Sequence, residues 1–309
     1  MPSNRRRLML KTMAATTAGL AALGALGAYV VIESGWYNVA ANHQHLQPVH
    51  SMLERAMHAS VRRQAGAIST PPLDEPALIR RGAAIYQSHC VACHGGPGVA
   101  QEKFGQSMQP VPGPLVDAAR RWQPAEMYWI VRHGIKMSGM PAWEYHLAEE
   151  DLWATVAFLA EMPRMTPAAY SDWMAQATAA APLPRGPGAP PPATGAEAAP
   201  PTTGAAAAGL AALGTQPGRP ARGRVALTQY ACQACHMIPG VTGSRVYVGP
   251  PLKGIAGRAL IAGRLPNSAA NMALWLRDPR HVAPATSMPV LGVSEQDALD
   301  MAAYLQTLH

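Results

Sequence analysis

The stretch "QSHCVACHGGPGVA", residues 87–100, sets two thiols and an imidazole within five residues of chain. Two residues separate Cys90 from Cys93, and His94 follows at once, which makes a C-x-x-C-H unit. A disulfide or a thioredoxin-like pair explains the two thiols but gives no role to a histidine beside the second one. The unit therefore indicates a ligand that uses all three side chains.

A second copy, "YACQACHMIPGV" at residues 230–241, sets Cys232, Cys235 and His236 in the same order, and the two copies use all four cysteines. One zinc ion shared by both copies is disfavoured, because the copies lie about 140 residues apart with a low-complexity segment between them. Covalent haem explains every position, since each thiol forms a thioether and the adjacent histidine becomes the proximal ligand. The sequence therefore predicts two covalently attached haem c groups, with His94 and His236 on the irons.

The N-terminus predicts a membrane anchor. Residues 12–32 contain no charged side chain and are long enough to cross roughly 30 Å of hydrocarbon. The basic residues of segment 1–11 predict that this end stays in the cytoplasm and that the later residues are exported. A cleaved signal peptide is the alternative, with a weak cleavage site at residues 26–28, but the apolar run continues beyond that site. We expect a single-pass protein of a bacterial inner membrane with its haem domains in the periplasm.

Composition divides the rest of the chain into three kinds of segment. Residues 33–73 are expected beside the membrane, with a helix that lies on the lipid surface or on a partner subunit. Residues 74–180, which include a short tail, and residues 221–309 are predicted to be compact domains. Residues 181–220 are rich in Pro, Ala and Gly and almost lack large apolar side chains, which predicts a disordered, flexible linker. The histidines of the juxtamembrane segment are more typical of a solvated loop than of a metal site.

Both predicted domains resemble class I cytochrome c domains. In the first, Gly82 and Tyr86 stand eight and four residues before Cys90, as they do in the N-terminal helix of that family. The resemblance implies that this glycine permits close crossing by a C-terminal helix, expected here at residues 149–159. The fold class is therefore all-α, with two cytochrome c domains after an N-terminal transmembrane helix, joined by the disordered Pro/Ala/Gly linker.

The resemblance also implies the distal ligands. The segment "HGIKMSGMPAW" offers Met137 and Met140, and Met140 is followed by proline as in the Met-Pro ligand loop of the family. The segment "ATSMPVLG" offers Met288, again before a proline. A thioether is a soft, neutral donor suited to electron transfer at positive potential. We therefore expect Met140 and Met288 to be iron ligands.

A proximal histidine usually holds its second nitrogen on a carbonyl group. The family supplies that carbonyl from a Gly-Pro loop, which implies Pro114 in the first domain and Pro250 in the second. The segment "GIAGRALIAGRLPNSAANMALWLRDP" further resembles the cytochrome domain fused to subunit II of some haem-copper oxidases. That likeness implies that Arg258 meets a haem propionate, or is simply exposed, and that Trp275 lines the haem pocket.

The closing helix of the second domain has a recognisable start. Ser294 is followed three residues later by Asp297, which is a capping signature. Leu299, Ala303 and Tyr304 recur at helical spacing, which supports the predicted helix.

Charge is distributed unevenly along a chain whose formal net charge is +7. Residues 74–165 contain eight Lys or Arg against ten Asp or Glu, whereas residues 221–309 contain eight against four. A basic rim speeds encounter with an acidic partner and weakens with salt. Nucleic acid is disfavoured as a partner, because the chain is predicted to be exported and has no nucleic-acid-binding motif.

These features favour a membrane-tethered electron carrier over an enzyme. The expected function is transfer of single electrons between a redox protein donor and acceptor of the respiratory chain, toward a terminal oxidase. An electron-accepting subunit of a periplasmic dehydrogenase is the alternative. A dihaem peroxidase is less favoured, because Met140 and Met288 would close the iron sites that peroxide needs.

Overall fold

The computed structural model describes residues 4–179 and 216–309. It is mostly helical, and it divides into two compact units, residues 1–43 and residues 44–309. Most of the predicted linker, residues 181–215, lies outside the described residues. Its last residues do not: the Gln216 amide donates to Gln296 Oε1 at 2.8 Å, and a helix begins at Pro220. The second domain therefore begins before residue 221.

The first unit contains helix α1, Asn4–Glu33, which begins before the predicted apolar run and includes all of it. The helix has 30 residues and its side chains are exposed. The mean hydropathy of an 18-residue stretch within it is 1.7, and in the described part of the chain it is the one helix long and apolar enough to cross a membrane.

The second unit begins with one helix, which is followed by the first of the predicted domains. The elements of this part are helical: α2 Gln47–Ala65, α3 Pro76–His89, α4 Val91–His94, α5 Lys103–Gln106, α6 Ala118–Arg121, α7 Pro124–His133, α8 Glu149–Glu161 and α9 Pro167–Ala179. The second domain follows with α10 Pro220–Gln229, β1 Leu260–Ile261, β2 Leu265–Pro266, α11 Ala269–Arg277, α12 Pro279–Val282 and α13 Glu295–Leu305. The two short strands pair antiparallel and were not part of the all-α prediction.

A close helix crossing organises the first domain. Helices α3 and α8 pack together, and a Cβ atom at Gly82 would overlap the carbonyl oxygen of Ala154 and approach Phe158 Cβ to 2.9 Å. Only glycine lets the two backbones come so close. The crossing predicted for this glycine is confirmed, and Trp153 and Leu159 of α8 point into the buried core.

The second domain repeats the crossing at a glycine that the sequence analysis did not single out. Helices α10 and α13 pack together, and a Cβ atom at Gly223 would overlap the carbonyl oxygen of Asp300. The Asp300 side chain is itself buried and accepts the backbone N–H of Arg219 at 2.8 Å. The start of α10 is thus bound to the middle of α13.

The predicted cap of α13 is confirmed. Ser294 Oγ accepts the N–H of Asp297 at 3.2 Å. Leu299, Ala303 and Tyr304 are only partly buried. The crossing at Asp300 turns the helix so that the buried residues are Ala298, Met301, Ala302 and Leu305.

Two segments that the sequence placed outside the domain core pack against it. In the tail helix α9, the ring of the buried Tyr170 lies against Gly96, next to the first C-x-x-C-H unit. Helix α2 packs on α7, buries Val61, and stacks His58 on Trp122 with ring centroids 4.4 Å apart. The chain itself therefore supplies a surface on which α2 lies.

We predict that Gly82→Ala lowers the free energy of unfolding of the first domain by about 1–3 kcal/mol, because the added methyl group must separate α3 from α8. Chemical denaturation of the haem-loaded protein measures the effect. Gly66→Ala is the matched control, since a Cβ there meets its nearest atoms at an ordinary 3.6 Å. Equal stability of the two variants would contradict the crossing.

Candidate haem sites

The first C-x-x-C-H unit lies in a tight turn where α3 ends. The Cys90 N–H donates to the Tyr86 carbonyl at 2.9 Å, and the His94 N–H donates to the Cys90 carbonyl at 2.9 Å. The hydroxyl of the fully buried Tyr86 donates to the Gly95 carbonyl at 2.7 Å. Tyr86 therefore fixes the backbone directly after the histidine, so that the thiols and the imidazole are held on one short piece of chain.

The four cysteines are free thiols. Burial raises the pKa of the Cys90 thiol to about 12 and that of the Cys232 thiol to about 12 as well. Burial also raises the pKa of Cys93 and Cys235. A thioredoxin-like pair needs a thiol with a lowered pKa. These buried, protonated thiols therefore disfavour the redox-pair alternative.

The imidazole of His94 is held ready to bind a metal ion. Its Nδ1 lies 2.8 Å from the carbonyl oxygen of Gly113. A carbonyl can only accept, so Nδ1 carries the proton and Nε2 keeps its lone pair. Burial lowers the pKa of His94, against the smaller opposing effect of the Gly113 hydrogen bond. The ring therefore stays neutral, as an iron ligand must.

The predicted carbonyl in the first domain was one residue too far along the chain. The Pro114 carbonyl accepts the Arg121 guanidinium at 3.3 Å, and the Pro112 carbonyl accepts the Gln101 side chain. Both neighbours of Gly113 are thus occupied by other donors, which leaves the Gly113 carbonyl to face His94.

In the second domain the carbonyl comes from the predicted residue. His236 Nδ1 lies 2.8 Å from the carbonyl oxygen of Pro250, which again leaves Nε2 free. The loop is anchored because the Gly249 N–H donates to the Cys235 carbonyl at 2.9 Å. A Cβ atom at Gly249 would overlap the His236 ring, so this close approach requires glycine.

The two candidate methionines lie in similar turns. Met140 packs on the first core and donates its N–H to Ser138 Oγ at 3.2 Å. Met288 packs on the second core and donates its N–H to Thr286 Oγ1 at 3.2 Å. The sequence analysis did not identify these hydroxyl groups. In both domains, however, a residue with a hydroxyl group lies two positions before the Met-Pro pair, and this pattern could have indicated them.

The competing thioethers of the first domain lie in different surroundings. Met137 is 83% exposed, which disfavours it as a ligand to a buried iron. Met108, which the sequence analysis did not consider, places its sulfur against Gly139, next to Met140.

The remaining predicted residues lie around the second site. The Arg258 guanidinium donates to the Pro251 carbonyl at 2.7 Å, next to the residue that holds His236. Trp275 is partly buried and packs on the second core, as Met288 does. Arg258 therefore supports the proximal loop, and Trp275 packs on the core that Met288 also contacts.

Both donor sets fit covalent haem. Each offers two thiols, an Nδ1-protonated histidine and a packed methionine, in the order that a c-type haem requires. Cys90, Cys93, His94 and Met140 would hold the first group, and Cys232, Cys235, His236 and Met288 the second. A bound haem supplies a one-electron redox centre at each site. Within residues 4–179 and 216–309, no group of three or more His, Cys, Asp or Glu is arranged to hold a metal ion by itself.

Fold and sites define the class: these are two c-type cytochrome domains, and such domains transfer electrons. Family comparison agrees, because the model described as cytochrome c oxidase, cbb3-type, subunit III matches residues 77–159 and the cytochrome c model matches residues 220–309. The predicted resemblance to class I c-type cytochromes is confirmed, and the two domains imply two covalently bound haem c groups.

A curated relative adds a more particular likeness. The chain is 34% identical over 88 residues to cytochrome c oxidase subunit 2 of Alkalihalophilus pseudofirmus. The match covers 28% of this chain and 25% of the relative, so the chain spans about a quarter of the relative's length. No solved structure gives a significant match.

We predict that Met140→Ala removes about half of the sulfur-to-iron charge-transfer band of the oxidised, haem-loaded protein, because one of two thioether ligands is lost. Met137→Ala is the control and should leave the band unchanged. Intact mass should show two haem additions in both variants. A full band in Met140→Ala would mean that another thioether, such as that of Met108, binds the first iron.

Proposed function

We propose that the chain is a membrane-anchored dihaem cytochrome that passes single electrons between respiratory components, toward a terminal oxidase. The observation that carries the proposal is the repeated donor set, a histidine with its Nδ1 proton fixed and a methionine packed on the core. Histidine and methionine together favour reversible one-electron exchange at positive potential. A peroxidase needs an iron position open to peroxide, which this donor set does not favour.

Two likenesses support the direction of transfer. The first domain matches a family model described as a subunit of a cbb3-type oxidase, and a relative is named as subunit 2 of a cytochrome c oxidase. An oxidase that accepts electrons from this chain, or contains it as a subunit, is consistent with both. The alternative in which a periplasmic dehydrogenase is the permanent partner has no comparable support.

The chain's own residues bind, orient and shield the redox groups. Tyr86 and Phe158 are fully buried beside the first site, where they exclude water. The Nδ1 hydrogen bonds of His94 and His236 fix the orientation of the proximal rings. These contacts keep each site in one geometry while its charge changes by one unit, which lowers the reorganisation that electron transfer requires.

Two features support a location of the haem domains outside the cytoplasm: helix α1 and the cytochrome c domains themselves. Helix α1 is apolar over its length after a basic start at residues 5–7 and has the dimensions of a membrane span. Cytochrome c domains are typically outside the cytoplasm. The proposed arrangement is a single-pass anchor in a bacterial inner membrane with both haem domains in the periplasm.

We predict that the reduced, haem-loaded chain is reoxidised by membranes that contain a terminal oxidase, and that salt slows the reaction because a basic domain meets an acidic acceptor. Arg264→Glu, on the exposed surface of the second domain, should slow reoxidation severalfold at low salt and little at high salt. Oxygen consumption and haem absorbance measure the rate.

Lys136→Glu, on the exposed surface of the first domain, is the control with the same change of charge. Two results would contradict the proposal: no oxidase-dependent reoxidation, or rapid turnover of hydrogen peroxide by the chain alone. Equal slowing by both variants would remove the assignment of the second domain as the docking surface.

A further inference from the structure

Two glutamines at the start of α2 hold a loop of the second domain. Gln44 Oε1 accepts the N–H of Thr242 at 3.0 Å, and its Nε2 donates to the carbonyl of the same residue at 3.1 Å. Gln47 repeats the arrangement with Gly243, accepting its N–H at 3.1 Å and donating to its carbonyl at 2.7 Å. Four hydrogen bonds thus join two side chains to the backbone of two consecutive residues, a pairing specific for this register of the loop.

Helix α2 contacts both domains. Next to the two glutamines, Ser244 of the same loop donates its hydroxyl to the Glu54 carboxylate. Further along, the helix buries Val61 against the first domain and stacks His58 on Trp122. One helix therefore holds the first domain with its C-terminal half and the second domain with its N-terminal half.

The two domains also contact each other directly, next to their haem-binding residues. The N–H of Gly98, four residues after His94, donates to the carbonyl of Val290, two residues after Met288, at 2.8 Å. At Gly292, where φ is +65°, a Cβ atom would clash with the backbone of residues 98–100. The loop after the first proximal histidine thus lies on the loop after the second methionine.

Gln47 of α2 also lines a cavity beside the second haem site. A cavity of about 340 Å³ beside His236 is lined by Gln47 from α2 together with Ile238, Val241 and Pro251. Loss of the α2 contacts would therefore open the second site on this side as well as release the domain.

We propose that Gln44 and α2 form an intramolecular clasp that locks the second cytochrome domain onto the first, so that the two haem sites exchange electrons across the contact between Gly98 and Val290. In that exchange one electron leaves the reduced site and enters the oxidised one, and no atom is transferred. The electron-transfer part rests on the proposed function, whereas the clasp itself does not. An external partner then binds elsewhere on the surface, and the two cytochrome domains act as a single unit.

The clasp is tested on the full-length, haem-loaded chain with the double variant Gln44→Ala, Gln47→Ala. The N–H groups of Thr242 and Gly243 donate to these glutamines, so their hydrogen exchange reports the clasp directly. We expect exchange at both amides to become at least tenfold faster, because both N–H groups lose the side-chain oxygens that accept them. Small-angle scattering should show a larger radius of gyration.

Gln64→Ala is the matched control, since Gln64 lies on the exposed face of the same helix, and it should behave as the unaltered chain. Exchange and radius of gyration that stay unchanged in the double variant would overturn the clasp, as would an unaltered chain that scatters as two separated domains. If the double variant opens but electrons equilibrate between its haems as fast as before, electron exchange across the contact between Gly98 and Val290 is overturned. None of these readouts involves a donor or an oxidase, so they fail independently of the proposed function.

Discussion

Each cytochrome domain is organised by one contact, the approach of a helix backbone to another across a glycine. Gly82 meets the carbonyl of Ala154, and Gly223 meets that of Asp300. Both glycines lie on the helix that leads into a C-x-x-C-H unit, so the crossing fixes where the thiols and the histidine emerge from the core. A side chain at either position would separate the helices and move the site. The positions of the haem-binding residues therefore depend on the two helix crossings.

The two sites reach the same chemistry through different local contacts. His94 and His236 both donate from Nδ1 to a backbone carbonyl, which leaves Nε2 for iron in each case. The carbonyl belongs to Gly113 in one domain and to Pro250 in the other, because side chains bind the carbonyls on either side of Gly113. The orientation of the ring is thus preserved while the loop that provides it varies, as expected when geometry at the metal is the constraint.

Local spacing predicts local structure well, as at Gly82 and at the Ser294 cap. Contacts between distant segments were not predictable in the same way. The side chain of Gln47 forms hydrogen bonds to a loop almost 200 residues away, and no pattern around it distinguishes a clasp from a solvated helix. The carbonyl group that accepts from His94 was likewise not predictable from spacing, because Gln101 and Arg121 bind the neighbouring carbonyl groups of the same loop. Composition predicted a linker to residue 220, although Gln216 already pairs with α13.

The most direct test of this account is electron transfer within one chain. In the variant Met288→His, the sulfur-to-iron band reports the oxidised first haem alone. Loss of the Met288 thioether lowers the reduction potential of the second haem. An electron that first reduces the second haem should therefore move to the first haem. After flash reduction of the haem-loaded variant, the account predicts that this band disappears in a first-order process whose rate is independent of protein concentration. A rate that rises in proportion to protein concentration would mean that the electrons move between chains, which contradicts the docked arrangement.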